Sequence, residues 1–430
     1  MEKRKCILSI GTLDKYMIFI LIGGISQCIC SFMLYIFRDT ANYNNHSLII
    51  GFNAALGMSF SFIPFLIVKI NSHKTKKKNK PVLVHTLSVK GPSNLRAMND
   101  VEYLEKYNEK KIRTQKYLIL FACAFLDFSQ KSMTYIFNKY VINNIWIFNI
   151  CFISLFEYCI IKRKLYKHQY FSCLIMIVLG ITATIIGLLG KDQILIKLLL
   201  CLTIEIQYSF EIALAKYLMD YRECSPFEIT FYEGFFSLIV NSILLAIFTN
   251  YPLPDNDKYD DIFRITNHEG KKYLDHFYEA FKNMSVGEGL LFALSAVGRL
   301  ISSISGHIVI KQYTAPHIVL ILVLGEIFLP LREFGDWHNI VQFILFCFVL
   351  VMSLIFTEII EINTCDFEKN TRKNIFLRGM SESNVKVENN ILANENPDDK
   401  KIELTENLEI VIEEDKPTYR MESEIFDLQN

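Results

Sequence analysis

Leu199–Phe236 reads LLCLTIEIQYSFEIALAKYLMDYRECSPFEITFYEGFF, and this stretch decides the class of fold. Its first run is apolar enough for a membrane-spanning helix, yet it also contains four polar or charged residues: Glu205, Gln207, Glu211 and Lys216. A charged side chain at mid-bilayer costs roughly 2.5–3.5 kcal/mol on insertion scales, so such residues normally face a protein interior or a watery cavity. Gln207 and Glu211 lie four residues apart and therefore share one helical face.

A break follows this run at Ser225-Pro226, because proline prevents the helix from simply continuing. A second apolar run follows, which opens with Glu233-Gly234. The two runs together predict a helical hairpin that belongs to the second half of a transporter.

Apolar runs of this kind recur along the chain of 430 residues, of which 51% are hydrophobic and 13% aromatic. Each is near the length needed to cross ~30 Å of hydrocarbon at about 1.5 Å per helical residue. Ten spans are predicted: Tyr16 to Phe37, Leu48 to Val68, Tyr117 to Phe137, Ile145 to Ile161, Tyr170 to Leu189, two within 199–248, Gly287 to Ile310, Thr314 to Pro330 and Ile340 to Ile360.

Loop charges orient these spans. The segment 69–116 carries thirteen Lys/Arg against four Asp/Glu, which the positive-inside rule places in the cytoplasm. The loop 250–285 is more acidic than basic, which fits the luminal or extracellular side. Both termini are then cytoplasmic. A break after the fifth span leaves two five-helix halves, 16–189 and 190–360. Because five is odd, these halves form an inverted repeat with a binding site at their interface. The predicted fold class is an all-α membrane protein with a 5+5 inverted repeat.

The two ends of the chain are polar. Residues 1–15 form a short cytoplasmic N-terminus. The segment 361–430 has seventeen acidic and nine basic residues and cannot bury a core, so it is predicted to be a mostly disordered cytoplasmic tail. Sequons at Asn45 and Asn283 fall in loops that this topology places outside, close to the membrane.

The eleven cysteines and nine histidines show neither a CxxC pair nor metal-ligand spacing, so no metal site is predicted and buried free thiols are expected. No cofactor is expected. The expected partners are membrane lipid and a small-molecule solute, with a homodimer left open. The basic run near Lys76 is interpreted as a topology determinant that touches anionic lipid, and no nucleic-acid partner is expected.

Polar residues within the spans are the candidates for a central substrate-binding cavity. Asp127 faces Gln130 and Lys131 at i+3 and i+4 on one helix. Two interpretations stay open for this group: an internal ion pair that only positions the helix, or a substrate- or proton-responsive group in the pathway. Asp127, Glu211 or Glu326 would couple transport to protons if burial there raised its pKa. The full candidate set is Asn53, Asp127, Gln130, Lys131, Gln207, Glu211, Arg299, His307 and Glu326.

Three local strings resemble the drug/metabolite transporter superfamily of ten-helix, EamA-type proteins. They are AFLDFSQKSMTYIFNKYV from Ala124, KYLMDYRECSPFEITFYEGFFS from Lys216 and GHIVIKQYTAP from Gly306. Within the superfamily, the chain looks most like the F subfamily of solute carrier family 35, a nucleotide-sugar-transporter-like branch. The resemblance implies the ten-helix fold and solute transport. It carries over six family-like positions: Asp127, Pro226, Glu233, Gly234, Gly306 and Lys311.

Two departures from the family pattern bear on the substrate. The fourth span has Trp146, Asn149 and Ile150 where the family has Gln-x-x-Arg-Gly, and the ninth has Leu322 and Gly325 where an Asp and an Arg are usual. Arginine grips phosphate bidentately, so its loss argues against assuming a nucleotide sugar or another phosphorylated substrate.

The leading hypothesis is a multipass carrier that moves a small polar solute or metabolite by alternating access, coupled to protons or working by exchange. Its alternative is a non-transporting membrane scaffold derived from the same fold. No catalytic motif stands out, so an enzyme is not expected. The resemblance favours an endomembrane such as Golgi, lysosome or vacuole, with the plasma membrane left open.

Overall fold

The computed structural model describes residues 8–10, 16–40, 47–78, 94–136, 145–188, 194–254, 266–282, 284–326 and 337–362. By its contacts the chain divides into a compact unit, Leu8–Glu361, and a second unit formed by Met1–Ile7 and Ile362–Asn430. The predicted acidic tail beyond Ile362 lies outside the described residues, as do both sequon asparagines, Asn45 and Asn283, and most of the predicted N-terminal segment.

The described part of the chain is mostly helical, as the sequence predicted. Its helices up to the predicted midpoint are α1 (Met17–Thr40), α2 (Ser47–Ser59), α3 (Phe62–Lys78), α4 (Asn94–Ile136), α5 (Asn149–Ile161), which a 3-10 turn (Ile145–Phe148) precedes, and α6 (Lys167–Leu188). Those after it are α7 (Ile194–Tyr221), α8 (Pro226–Asn250), α9 (Phe277–Lys282), α10 (Val286–Gln312), α11 (Ile318–Glu326), which a 3-10 turn (Ala315–His317) precedes, and α12 (Trp337–Phe356). The segment 69–116, expected as a loop, is helical up to Lys78 and again from Asn94.

Four three-residue strands complete the secondary structure of the described residues: β1 (Leu8–Ile10), β2 (Thr266–His268), β3 (Lys271–Tyr273) and β4 (Ile360–Ile362). Strands β2 and β3 pair antiparallel, with Thr266 opposite Tyr273. Their two-residue turn has positive φ at both Glu269 (50°) and Gly270 (76°), as tight β-hairpins require. This hairpin lies in the connection between α8 and α10.

Six apolar stretches within the described residues are long enough to cross a membrane. They are Met17–Leu34, Leu48–Asn71, Lys167–Ile186, Lys197–Tyr221, Pro226–Asn250 and Val286–Gln312. Three shorter apolar stretches are also helical: Trp146–Ile161, Ala315–Glu326 and Ile340–Phe356. Large apolar side chains on the outer face of α6, such as Leu174, Val178 and Ile185, are more than half exposed. An apolar exterior on helices of this length is that of a membrane-embedded protein.

The second apolar stretch is broken where one straight span was expected. Helix α2 ends at Ser59 and α3 begins at Phe62. Pro64 has no N–H, so it cannot donate the hydrogen bond that the Phe60 carbonyl would accept within a continuous helix. The Ile63 N–H donates to that carbonyl instead, at 3.2 Å. A proline of this kind is a recognised cause of helix kinks.

Helices of the two predicted halves pack against each other through glycines. A Cβ atom added to Gly57 of α2 would overlap the backbone carbonyl of Ala296 in α10, and one added to Gly234 of α8 would lie 2.6 Å from the Met58 carbonyl carbon. Helix α2 therefore has backbone-to-backbone contacts on two sides. Small residues permit such close approach of helices in membranes.

Helices α8 and α10 begin with defined caps. The Ser225 hydroxyl accepts a hydrogen bond from the Glu228 N–H (3.0 Å), and Pro226 occupies the first position of α8. At the start of α10, Ser285 and Glu288 form a capping box. Serine at the N-cap and proline at the first helical position are both favoured there. The predicted break at Ser225-Pro226 is confirmed.

Candidate functional site

Three ionisable side chains from three membrane-length helices converge inside the protein. Glu211 lies on α7, Glu233 on α8 and His307 on α10. One donor atom of each lies within 4.8 Å of the other two. Only 3%, 3% and 5% of these residues' surfaces are exposed. We call this group the carboxylate–histidine cluster.

The orientation of His307 is fixed by Thr230 on α8. The Thr230 hydroxyl donates to the Pro226 carbonyl at 3.0 Å and lies 2.8 Å from His307 Nδ1. A hydroxyl has one proton, so with that proton on the Pro226 carbonyl the contact favours the tautomer in which Nδ1–H donates to the Thr230 oxygen. The other ring nitrogen, Nε2, then presents a lone pair toward Glu233 Oε1, 3.6 Å away.

Asp127 and Lys131 form a buried ion pair on α4. Lys131 Nζ lies 2.6 Å from Asp127 Oδ1, the i,i+4 contact that the sequence predicted. The residues are 7% and 8% exposed. Lys131 also reaches the Met58 sulfur (3.5 Å), and the Ser237 hydroxyl donates to Asp127 at 3.5 Å. The pair thus links α4 to α2 and α8, and the charge of Asp127 also acts on the carboxylates of the cluster.

A second polar group joins α1, α10 and α11. The side-chain oxygen of Gln27 accepts hydrogen bonds from Arg299 (3.1 Å) and Ser302 (3.1 Å). Gln27 also hydrogen-bonds to Glu326, whose carboxylate interacts with the charge of Arg299. Two predicted cavity residues, Arg299 and Glu326, therefore come together through Gln27, which was not in the predicted set.

The remaining predicted residues have other surroundings. Asn53 donates to the Phe292 carbonyl (2.7 Å) and accepts from the Ser295 hydroxyl (3.1 Å), so it cross-links α2 to α10. Gln207 is half-buried and accepts from Ser129 on α4 at 3.4 Å. Gln130 is half-buried on α4, where its backbone carbonyl accepts from Thr134 at 2.8 Å.

Lys216, which helped to decide the fold class, lies outside the carboxylate–histidine cluster. It pairs with Asp220 at 3.0 Å and donates to the Lys311 carbonyl at 3.3 Å. Lys216 therefore joins the end of α7 to the end of α10, where an ordinary structural role accounts for its charge.

Glu233 is the cluster residue that the predicted cavity set lacked. The family resemblance marked Glu233 as a family-like position beside Gly234, but periodicity alone did not distinguish it from other polar residues near a helix start. Glu211 and His307 were predicted and do come together. Compared with known protein families and with curated proteins, the chain matches no family model and no curated protein. The resemblance to the drug/metabolite transporter superfamily therefore stays a prediction.

Proposed function

We propose that this protein is a multipass membrane carrier that moves a small polar solute or metabolite by alternating access. One observation carries the proposal: buried ionisable side chains from both predicted halves meet among helices long enough to span a membrane. Asp127 and Lys131 come from the first half, and Glu211, Glu233 and His307 from the second. Intramembrane ionisable residues normally mark solute or ion pathways.

The energetic cost of these residues supports a functional interpretation. Each charge at mid-bilayer costs roughly 2.5–3.5 kcal/mol on insertion scales. A membrane protein that served only as a scaffold would gain by filling this interior with apolar side chains, because a buried ion pair is often no more stabilising than a well-packed apolar substitute. The retained polar interior therefore favours a carrier over the non-transporting alternative.

For the architecture we propose ten spans in a 5+5 inverted repeat with both termini cytoplasmic. The six membrane-length stretches account for six of them, and α4, α5, α11 and α12 would supply the others. An epitope inserted after Val141 separates the two counts, because ten spans place it outside the cytoplasm and six place it inside. Labelling of this epitope from the cytoplasmic side would contradict the ten-span arrangement.

The polar interior also limits the class of solute. Arg299 contributes a guanidinium to this interior, and both Arg299 and Ser302 donate hydrogen bonds to the side-chain oxygen of Gln27. The positions where the family resemblance places two further arginines hold Asn149 and Gly325. We therefore propose a solute without phosphate groups, since phosphate recognition relies strongly on arginine.

The test is uptake into liposomes reconstituted with the purified protein, with nucleotide sugars, amino acids and organic cations offered side by side. We expect at least one non-phosphorylated class to accumulate above protein-free liposomes, and Arg299→Gln to reduce that uptake. Lys164→Gln, at an exposed position, is the matched control and should leave uptake unchanged. If no class accumulates although the protein is folded and inserted, the non-transporting alternative replaces the carrier.

Proton coupling and location are part of the same proposal. Glu326 tests coupling away from the carboxylate–histidine cluster: if Glu326→Gln retains both the wild-type uptake and its pH dependence, that carboxyl is not the coupling group. An endomembrane location is proposed from the family resemblance alone. Fluorescence microscopy of the tagged full-length chain against Golgi, lysosomal and vacuolar markers checks it.

A further inference from the structure

The carboxylate–histidine cluster has the donor set of a metal site. Two carboxylates and an imidazole nitrogen, all within 4.8 Å of one another, are contributed by three separate helices. No short sequence motif links these residues, because Glu211, Glu233 and His307 come together only when α7, α8 and α10 pack. This explains why histidine spacing along the sequence did not indicate such a site.

Two of the donor atoms face each other without a hydrogen bond. Glu233 Oε1 and His307 Nε2 are both buried, and neither has a hydrogen-bond partner among the described residues. Their separation of 3.6 Å exceeds the usual length of a hydrogen bond. Two donor atoms of a tetrahedral zinc ion, each bound at about 2.0–2.1 Å, lie about 3.4 Å apart. The observed spacing is therefore close to that of two ligands of one cation.

Thr230 completes the arrangement from behind the histidine. A metal-bound imidazole usually donates its second N–H to a nearby oxygen, which fixes the tautomer and the direction of the ring. The Thr230 hydroxyl, itself engaged with the Pro226 carbonyl, is that acceptor for Nδ1–H at 2.8 Å. The lone pair on Nε2 is thereby directed at Glu233 Oε1.

The charges around the cluster also favour a divalent cation. The Glu211 and Glu233 side chains are both buried, and one carboxylate oxygen of each lies within 4.8 Å of the other. A doubly charged cation would neutralise both carboxylates at once. The ion pair of Asp127 with Lys131, whose charges act on the cluster, adds no net charge.

We propose that Glu211, Glu233 and His307 bind one divalent first-row transition cation, represented by Zn²⁺, inside the membrane-embedded bundle. The imidazole ligand favours such cations over Mg²⁺ and Ca²⁺, which prefer oxygen alone. Three protein ligands leave at least one coordination position open. The bound cation joins α7 to α8 and α10.

The first experiment measures binding directly, in detergent and with any purification tag removed. The full-length chain is stripped with a chelator and titrated with Zn²⁺ by calorimetry, and Co²⁺ is used as a visible-absorption probe. We expect one cation per chain, with at least tenfold weaker binding in Glu211→Gln, Glu233→Gln and His307→Gln. Mg²⁺ should give no comparable signal. Absence of Zn²⁺ binding, or equal binding in the wild type and all three variants, would overturn the proposal.

Two controls keep the result specific. Glu205→Gln changes another glutamate of α7, six residues and therefore about 9 Å along the helix from Glu211, and should retain full affinity. Thr230→Val keeps the shape of the side chain but removes the acceptor for Nδ1–H, and should weaken binding about 10–100-fold, as loss of such supporting groups typically does. Unchanged affinity in Thr230→Val would contradict the positioning role.

A second measurement does not depend on variants that fold. X-ray absorption at the zinc edge separates nitrogen and oxygen ligands, at about 2.0–2.2 Å, from cysteine sulfur at about 2.3 Å. This matters because nine cysteines among the described residues are free thiols. A first shell of oxygen with one imidazole supports the site, whereas a sulfur shell would assign the bound zinc to cysteines and refute it.

The cation site goes beyond the proposed carrier function, and the two fail separately. Binding in detergent needs no gradient and no transported solute. A protein that binds Zn²⁺ but carries no solute would refute only the carrier, and one that transports normally without binding any cation would refute only this site.

Discussion

The buried pair of Asp127 and Lys131 allows the structural and functional interpretations of α4 to be separated. Each partner depends on the other for its strongest contact, at 2.6 Å. If Asp127 becomes Asn, Lys131 keeps only a neutral amide and the Met58 sulfur, which is a weak acceptor. If Lys131 becomes Gln, the Asp127 carboxylate keeps the Ser237 hydroxyl at 3.5 Å. Either single change therefore leaves a buried charge without its counterion.

The expected magnitudes follow from this geometry. Removal of one partner of a buried pair typically costs about 3–5 kcal/mol, and a neutral amide in its place moves the cost toward the lower value. We expect about 3 kcal/mol of destabilisation from Asp127→Asn and a similar loss from Lys131→Gln. The double variant replaces the charges by two amides at i,i+4, which can hydrogen-bond, so it should lose no more than about 1.5 kcal/mol. The two single losses then exceed that of the double variant by about 4.5 kcal/mol or more, which is the expected coupling energy.

The assay is equilibrium unfolding in mixed micelles, followed by the fluorescence of the chain's two tryptophans. A double-mutant cycle with all four proteins gives the coupling energy directly. If the double variant is destabilised by the sum of the single losses, the two side chains do not depend on each other and the reasoning fails. Uptake by the double variant then decides whether the ion pair only positions α4 or belongs to the transport pathway. Full uptake indicates a purely structural pair. Lost uptake with retained stability indicates that Asp127 or Lys131 belongs to the pathway.

Three further predictions concern packing, capping and thiol reactivity. Gly57→Ala should cost about 1–3 kcal/mol of unfolding free energy, because the added Cβ overlaps the Ala296 backbone; Gly287→Ala, whose Cβ would meet nothing within 4 Å, is the control, and an equal loss would contradict the packing argument. Asp275→Ala should cost about 1 kcal/mol by the same unfolding assay, because its carboxylate accepts the N–H of Leu48 (2.8 Å) at the start of α2, while Asp275→Asn should recover most of this loss. Burial raises the pKa of the Cys224 thiol to about 12, so below that pH the thiol stays neutral and maleimide labelling followed by mass spectrometry at pH 8 should find it unreactive until the protein unfolds.

The sequence predicted local features well because they depend on neighbours within one helix. The i,i+4 contact of Asp127 and Lys131 and the helix start at Pro226 follow from spacing and cap chemistry alone. The membrane class follows from the length and composition of the apolar runs. These are short-range properties, and no knowledge of the tertiary fold was needed.

Contacts between distant helices could not be predicted in the same way. Glu233 meets His307, and Gln27 meets Arg299, only because of the angles at which their helices cross. Asn53 is a further example, since its hydrogen bonds to Phe292 and Ser295 of α10 depend on how α2 packs against that helix. The break before Pro64 could have been predicted from the sequence, because proline lacks the N–H that a continuous helix needs. The long apolar run around Pro64 favoured a single span instead.

The glycine contacts of α2 have a mechanical consequence. With its backbone pressed against α10 at Gly57 and against α8 at Gly234, α2 has no compliant layer of side chains through which to slide or tilt alone. These three helices would move as one rigid body during any rearrangement of the bundle. Glu233 and His307 belong to that rigid body, whereas Glu211 belongs to α7. The distance from Glu211 to Glu233 and His307 would therefore report any movement of α7 relative to the other three helices.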